Sequence, residues 1–478
     1  MIVLIWTRWR VRAVLVLMCA AQFMVVLDVS VINVALPSIQ EALGFDARHL
    51  AWVGNAYALA FGGLLLLGGR LADLYGHRRV FTIGLALFTV ASLAGGLATS
   101  PGLLITARIG QGMGAAVLAP ATLTILTTAF PEGPRRTRAI AVWTAVSLAG
   151  GTAGNLIGGA LTEYLSWRWI LLINVPIGLA CLAATRALPR GPARQRGQRL
   201  DVPGALLATG GLAALAYSLS GSPAAVLVAA VAAVLLGLFV LVEARLVRTP
   251  LLPPRLLRPR PIWLGNLAML LAGACLNPMW YFLALSLHHV LGYGPLQTGL
   301  AFLPHTLLTM LIGLRLTPWL MRHADHRGLI VAGALIGAAG FWWQSRLAPG
   351  QDYLTAVLGP AVLISLGGGL LNTPLTVTVT SGVPAQDAGA ASGLMNTAKQ
   401  IGGALGLAAL VALTAGQDGE LASSVQPQEP ATGYGQAFVA IAVMLAAVAV
   451  LASALPRRRD AAAPAAGSDE TADQQPAR

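Results

Sequence analysis

The chain contains a single lysine, Lys399, and the residue after it is Gln400. A phosphate-binding loop of the GxxxxGK[ST] type therefore cannot be built from this sequence, which excludes an ATP-driven pump. Charged residues make up only 10% of the 478 residues and hydrophobic residues 56%. A soluble domain needs a polar shell that this composition does not supply, so the chain reads as a polytopic membrane protein. Cysteine is scarce too: Cys19, Cys181 and Cys275 lie far apart inside apolar runs, with neither metal-ligand spacing nor the pattern of a disulfide framework. There is no HExxH helix and no nucleophile elbow, so the reading is a protein that is not an enzyme and needs no metal or organic cofactor.

What is abundant is apolar sequence in runs of about 20 residues, the length that crosses a bilayer core. Six runs come first, near residues 12–36, 50–69, 80–99, 102–130, 139–161 and 168–188. Two more, near 202–220 and 224–246, form a hairpin set between basic, proline-containing linkers, with Ser220 to Pro223 as its turn. Six others follow, near 262–290, 296–320, 328–347, 353–374, 389–415 and 435–455. The expectation is an all-α protein with 14 transmembrane helices arranged 6+2+6. Its parts are a six-helix bundle over 1–188, linkers and hairpin over 189–261, a second six-helix bundle over 262–455, and a disordered tail over 456–478. The first run follows Arg8, Arg10 and Arg12 but is too long for a signal peptide, so it reads as a retained span.

The net charge of +13 does not point to nucleic acid, because the arginines sit in short segments between apolar runs. Arginine collects on the cytoplasmic side of membrane proteins. In a fourteen-helix arrangement the segments Arg8–Arg12, Gly69–Arg79, Arg135–Arg138, 190–199, Arg245–Arg260, Arg322–Arg327 and Arg457–Arg459 share one face. Both termini are then cytoplasmic and the host is the cell membrane. The longest opposite segment, Gln417–Gly433, has only acidic ionisable groups, Asp418, Glu420 and Glu429.

The first run holds a carboxylate, Asp28, within Phe23–Pro37. An ionised Asp in hydrocarbon costs several kcal/mol unless it faces a cavity, finds a partner or takes up a proton. Two readings fit it: a proton switch, or a packing residue that stays protonated. The fourth run holds Arg108, which likewise needs a partner or water. Counted inward from Pro37 and Pro101 at 1.5 Å per residue, Asp28 and Arg108 both lie roughly 10–14 Å deep.

Between runs two and three stands Gly69-Arg70-Leu-Ala-Asp73-Leu-Tyr-Gly76-His-Arg78-Arg79. Gly69 suits close packing of a helix end, Gly76 suits a positive φ, and Asp73 can pair with Arg78 or Arg79 as a latch. This loop resembles the signature loop of the major facilitator superfamily. Its counterpart in the second half, Arg322–Gly328, is degenerate, which suggests that the first-half latch matters more. Leu104–Ala116 around Arg108 is similar to the superfamily's fourth-helix motif. The fifth run carries Gly150, Gly154, Asn155, Gly158 and Gly159, similar to the antiporter motif of drug:proton antiporters. It departs from that pattern by Asn155 in place of Pro and Ala141 in place of Gly, which puts the helix kink in doubt. Glycines at every fourth position also allow ordinary close helix packing.

The stretches Leu27–Pro37, Ser166–Gly178 and Gly389–Gly406, together with the hairpin, resemble the fourteen-helix drug:proton antiporters of the EmrB/QacA type over about residues 12–455. The resemblance implies two halves related by an axis along the membrane normal, with a substrate site between them near the midplane. It also implies that helices one and four line that site, so that Asp28 and Arg108 can pair. Asn33, Asn277, Trp280, Tyr281, Asn372, Asn396 and Lys399 are candidate pocket residues. Lys399, about ten residues into the thirteenth run, either meets an anionic group or caps helix carbonyls. Arg315 is close enough to a helix end to snorkel, and His305 reads as a packing histidine with its hydrogen bonds satisfied, the alternative being a group that titrates near neutral pH.

The reading is a monomeric, proton-coupled antiporter in the lipid bilayer, exporting amphipathic small molecules by alternating access, with the proton gradient as its energy source. One proton crossing about 100 mV supplies roughly 2.3 kcal/mol. Uptake by a facilitator or symporter, and a transporter-like sensor that moves nothing, are the alternatives.

Overall fold

The computed structural model describes residues 2–130, 133–188, 201–219, 224–246, 259–380, 383, 388–421 and 430–455. The helices of the first half are α1 (Ile2–Leu43), α2 (Ala47–Leu50), α3 (Trp52–Tyr75), α4 (His77–Gly96), α5 (Pro101–Ala129), α6 (Pro134–Tyr164), α7 (Trp169–Leu172) and α8 (Asn174–Ala184). The hairpin contributes α9 (Val202–Leu219) and α10 (Ala225–Leu241). The second half contains α11 (Arg260–Leu276), α12 (Pro278–Leu291), α13 (Pro295–Leu311), α14 (Thr317–His323), α15 (His326–Gln344), α16 (Gly359–Thr380), α17 (Ala388–Leu421) and α18 (Pro430–Ser453). No strand occurs among the described residues. Most of the two linkers, the hairpin turn and the C-terminal tail lie outside them.

By length and composition, 10 described helical stretches can cross a membrane; α3 lies on the second expected run, and the expected runs six and eight correspond to shorter apolar helices. The structure thus gives an all-helical, multi-span protein, with α15 on the run expected near 328–347. Some expected boundaries shift. α1 passes through Pro37 and ends only at Leu43, where Gly44 turns the chain at φ +67°, and α17 runs beyond 415 to Leu421.

Proline divides two of the expected spans. Pro176 cannot donate to the Leu172 carbonyl, and the chain is interrupted at Ile173 between α7 and α8. Pro278 has the same effect at Asn277, so that the run expected at 262–290 is two helices, α11 and α12. Both breaks lie next to functional candidates.

Packing repeats from half to half. α1 lies on α6 as α11 lies on α17, and α4 lies on α5 as α15 lies on α16. The two most extensive seams between the halves are α6 against α13 and α3 against α17, with α1 also touching α12, and α9 covers the α3–α17 seam by touching both helices. At the end remote from the signature loop the halves share one apolar core, in which Leu36, Ile39 and Phe45 belong to the same cluster as Phe282, Leu285 and Phe302. Toward the other end the first half has a separate core around Met18, Phe81, Phe88 and Leu126. The halves are therefore held together most closely at the end away from the basic loops.

Candidate functional site: a buried ion pair at the wall of a central cavity

Three helices bring polar groups to one point. Arg108 and Gln111 are three residues apart on α5 and so share a face. The break before α8 brings Asn174 in from the far end of the half, and α1 supplies Asp28. Asp28 is fully buried. Its Oδ2 accepts from Nη1 of Arg108 at 2.6 Å, and its Oδ1 accepts from Nε2 of Gln111 and Nδ2 of Asn174, each at 2.8 Å.

Arg108 is only 1% exposed, yet its guanidinium is well satisfied. Nε donates to the Val53 carbonyl at 2.9 Å, Nη1 also donates to Oε1 of Gln111 at 2.9 Å, and the group lies 4.5 Å over the Tyr57 ring. Gln111 Nε2 further donates to Ser92 Oγ at 2.8 Å. A buried pair held this way has the added hydrogen bonds that offset desolvation. Depth counting sets Asp28 and Arg108 level, and the structure brings them into direct contact. Arg108 serves both the Val53 carbonyl and Asp28. Gln111 and Asn174 do not stand out in the sequence. Both lie inside stretches that carry the family resemblance, but a neutral amide there looks no different from one that joins two helices.

A cavity of about 270 Å³ lies between the halves. Its first-half wall includes Asn33, Asn55, Tyr57, Arg108, Gly151 and Asn155, and its second-half wall Asn277, Trp280, Tyr281, Thr306 and Gln400. Arg108 therefore forms part of the wall, while Asp28 stands behind it. Of the pocket candidates, Asn33, Asn277, Trp280 and Tyr281 are at the cavity. Asn372 and Asn396 are not among its lining residues; each donates to a carbonyl one turn back in its own helix, Gly368 and Ser392. Lys399 is next to the lining Gln400, and its own carbonyl accepts from Asn277 Nδ2 at 3.4 Å.

The glycines of α6 serve two neighbours. A Cβ added at Gly154 would lie 2.7 Å from Ser30 Cβ, and one at Gly158 3.0 Å from Val31 Cα, so this stripe seats α6 on α1 beside Asp28. On the adjacent face Gly159 meets the Pro295 carbonyl at 2.7 Å, and Gly299 of α13 meets the Asn155 carbonyl at 2.5 Å, measured in the same way. Gly150 packs on Phe23. With Asn155 in place of Pro, α6 runs unbroken from Pro134 to Tyr164.

At the signature loop Gly76 does take a positive φ, +91°, between α3 and α4. The close helix approach is made by Gly68 against the Ala116 carbonyl rather than by Gly69, whose nearest neighbour for an added Cβ is Pro120 at 3.9 Å. Arg70 is half-buried, and the side chain of Asp73 lies outside the described residues. Arg78 Nη1 donates to the Leu188 carbonyl at 3.1 Å, which ties the start of α4 to the end of the half, while Arg79 is exposed. The second-half loop repeats this tie despite its degenerate sequence: Arg327 Nη1 donates to the Leu455 carbonyl at 3.5 Å. His305 departs from expectation. It is buried against Trp280, and neither ring nitrogen has a partner among the described residues.

Two helical halves around a central cavity, with an ion pair buried in its wall, define a multi-span membrane transporter. The chain belongs to the Major Facilitator Superfamily, whose sequence profile matches residues 18–407. It is 57% identical over 451 residues to the cephamycin export protein CmcT of Amycolatopsis lactamdurans, covering 92% of each chain. It is 42% identical over 472 residues to the puromycin resistance protein pur8 of Streptomyces alboniger, covering 95% of this chain and 93% of that one. Among solved structures, an auto-inhibited peptide transporter of the POT family superposes with a TM-score of 0.70 over 98% of this chain and 99% of its own. At 16% identity that likeness speaks for the fold alone.

Proposed function

We propose that this protein is a proton-coupled antiporter that exports amphipathic small molecules by alternating access, with the fourteen-helix organisation of drug:proton antiporters. The observation that carries the reading is the Asp28–Arg108 pair, because its arginine forms the cavity wall and its carboxylate has no other cation among the described residues. Protonation of Asp28 removes the charge that holds Arg108, and Arg108 is then free to reorganise the wall. Asn174 Oδ1 is buried without a partner among the described residues, so rotation of that amide offers an acceptor to the protonated carboxyl. In this cycle Asp28 takes up a proton from outside, the halves rock on the α6–α13 and α3–α17 seams, and proton release inside restores the pair and favours loading of substrate. A shift of this kind requires that proton and substrate bind the two states with different affinities.

The relatives named for cephamycin export and puromycin resistance support antibiotics as the substrate class. In this reading the basic loops and both termini face the cytoplasm, the host is the cell membrane, the protein acts as a monomer, and the gradient is the sole energy source. The test is flux in proteoliposomes with an imposed pH gradient, using a cephamycin and puromycin as candidate substrates. Accumulation driven by the gradient supports antiport. Equilibration without accumulation indicates a facilitator, and binding without movement a sensor.

A further inference from the structure

The charges inside the spans do not balance locally. Asp28 is matched by Arg108. The acidic residues of the second half, Asp325, Asp352, Asp387, Asp418, Glu420 and Glu429, all fall at helix ends or between helices in the sequence. Lys399 lies well inside α17, and no carboxylate or hydrogen-bond acceptor pairs with its ammonium among the described residues. A lysine inside a span is costly to insert, and chains tolerate such groups where they face a cavity or a partner.

The face of α17 that holds Lys399 leads into the cavity. Ser392, Asn396, Lys399 and Gly403 recur at four- and three-residue intervals and so form one stripe along the helix. Ser392 and Asn396, toward the basic-loop end, are exposed, and Gly403 lines the cavity beside Gln400. The Lys399 backbone is tied to the cavity wall through Asn277. Lys399 itself is half-buried and lies on this stripe between the exposed Asn396 and the cavity-lining Gly403, and across the cavity the charge of Arg108 is already taken. An apolar molecule with one anionic group would set that group against Lys399 and its body against Trp280 and Leu407.

We infer that Lys399 is the counterion of the substrate, and that the cavity selects amphipathic molecules bearing a carboxylate. The inference rests on the export reading of the same cavity and deepens it by naming the substrate's charge. The probes are N-dansyl-phenylalanine and its amide, which share one apolar body and differ in the carboxylate. Binding to the purified full-length protein is measured at pH 7, for wild type, Lys399→Gln and Lys399→Arg. The wild type is expected to bind the acid at least tenfold more tightly than the amide, Lys399→Gln to lose that preference, and Lys399→Arg to retain most of it. Equal binding of the two probes by wild type, failure of the acid to bind, or a preference that survives in Lys399→Gln overturns the inference. Export is judged separately, by pH-driven flux of a cephamycin and puromycin in wild-type proteoliposomes. Flux there with no acid preference rejects Lys399 alone, and absence of flux rejects the export reading.

Discussion

Asn174 donates to Asp28 across 2.8 Å although 146 positions separate them in sequence, which joins the first and last spans of the first half at the carboxylate. Gln111 adds a second neutral donor to the same oxygen. Asp28 thus has one cationic and two neutral donors, and loss of either amide leaves the ion pair in place but less well held.

Hydrogen bonds to charged groups contribute about 1.5–3 kcal/mol each. Asn174→Ala is expected to slow pH-driven transport about tenfold or more, with the protein still inserted and folded. Initial rates in proteoliposomes give the answer, and a rate equal to wild type would mean that this hydrogen bond has no part in the cycle.

Removing one member of a buried ion pair leaves an uncompensated charge, at a cost of about 3–5 kcal/mol. Arg108→Ala should destabilise the protein by that order. The double variant with Asp28→Asn should lose clearly less than the sum of the single losses, because the stranded carboxylate is gone. Thermal or denaturant unfolding of the four proteins in one detergent measures the coupling. Strict additivity would contradict an energetic contact between the two.

Much of this arrangement is legible in the sequence, and the limits have physical causes. Depth along a helix is a count of residues, so the sequence by itself sets Asp28 and Arg108 at one level. The positive φ of Gly76 is legible because a short loop between two helices requires it. Which neighbour a glycine meets depends on helix rotation, and so the close approach falls to Gly68 and not to Gly69. Asn277 and Asn372 are alike as intramembrane amides. Only the break at Pro278 turns the first toward the cavity, while the second stays bonded to its own helix. The tie from Arg327 to Leu455 is hidden because a backbone carbonyl, unlike a carboxylate, has no signature in sequence.

The second seam face of α6 gives a conformational prediction. A Cβ at Gly159 would sit 2.7 Å from the Pro295 carbonyl, and backbone there cannot give way as a flexible side chain could. Gly159→Ala should push the halves apart at this end and shift the population away from the state described here. Spin-label distances between α6 and α13 at that end should lengthen, with slower turnover. An unchanged distance distribution would show that the seam accommodates a methyl group.

His305 offers a stability test outside the transport chemistry. Its buried nitrogens have no partner among the described residues, and an unsatisfied buried polar group costs about 1–3 kcal/mol. His305→Phe keeps a ring beside Trp280 and removes those atoms, so it should raise thermal stability. A fall of several degrees would indicate that the imidazole has a partner, such as bound water, that phenylalanine cannot replace.

In the proposed cycle the charge of Asp28 couples protons to substrate. The most direct measurement compares two fluxes of the same substrate in proteoliposomes containing wild type or Asp28→Asn: accumulation driven by a pH gradient, and exchange of labelled for unlabelled substrate with no gradient. The amide keeps the size of the side chain but cannot cycle a proton. Asp28→Asn is expected to abolish gradient-driven accumulation while exchange continues. Accumulation by Asp28→Asn at the wild-type level would contradict it and remove Asp28 from the coupling mechanism.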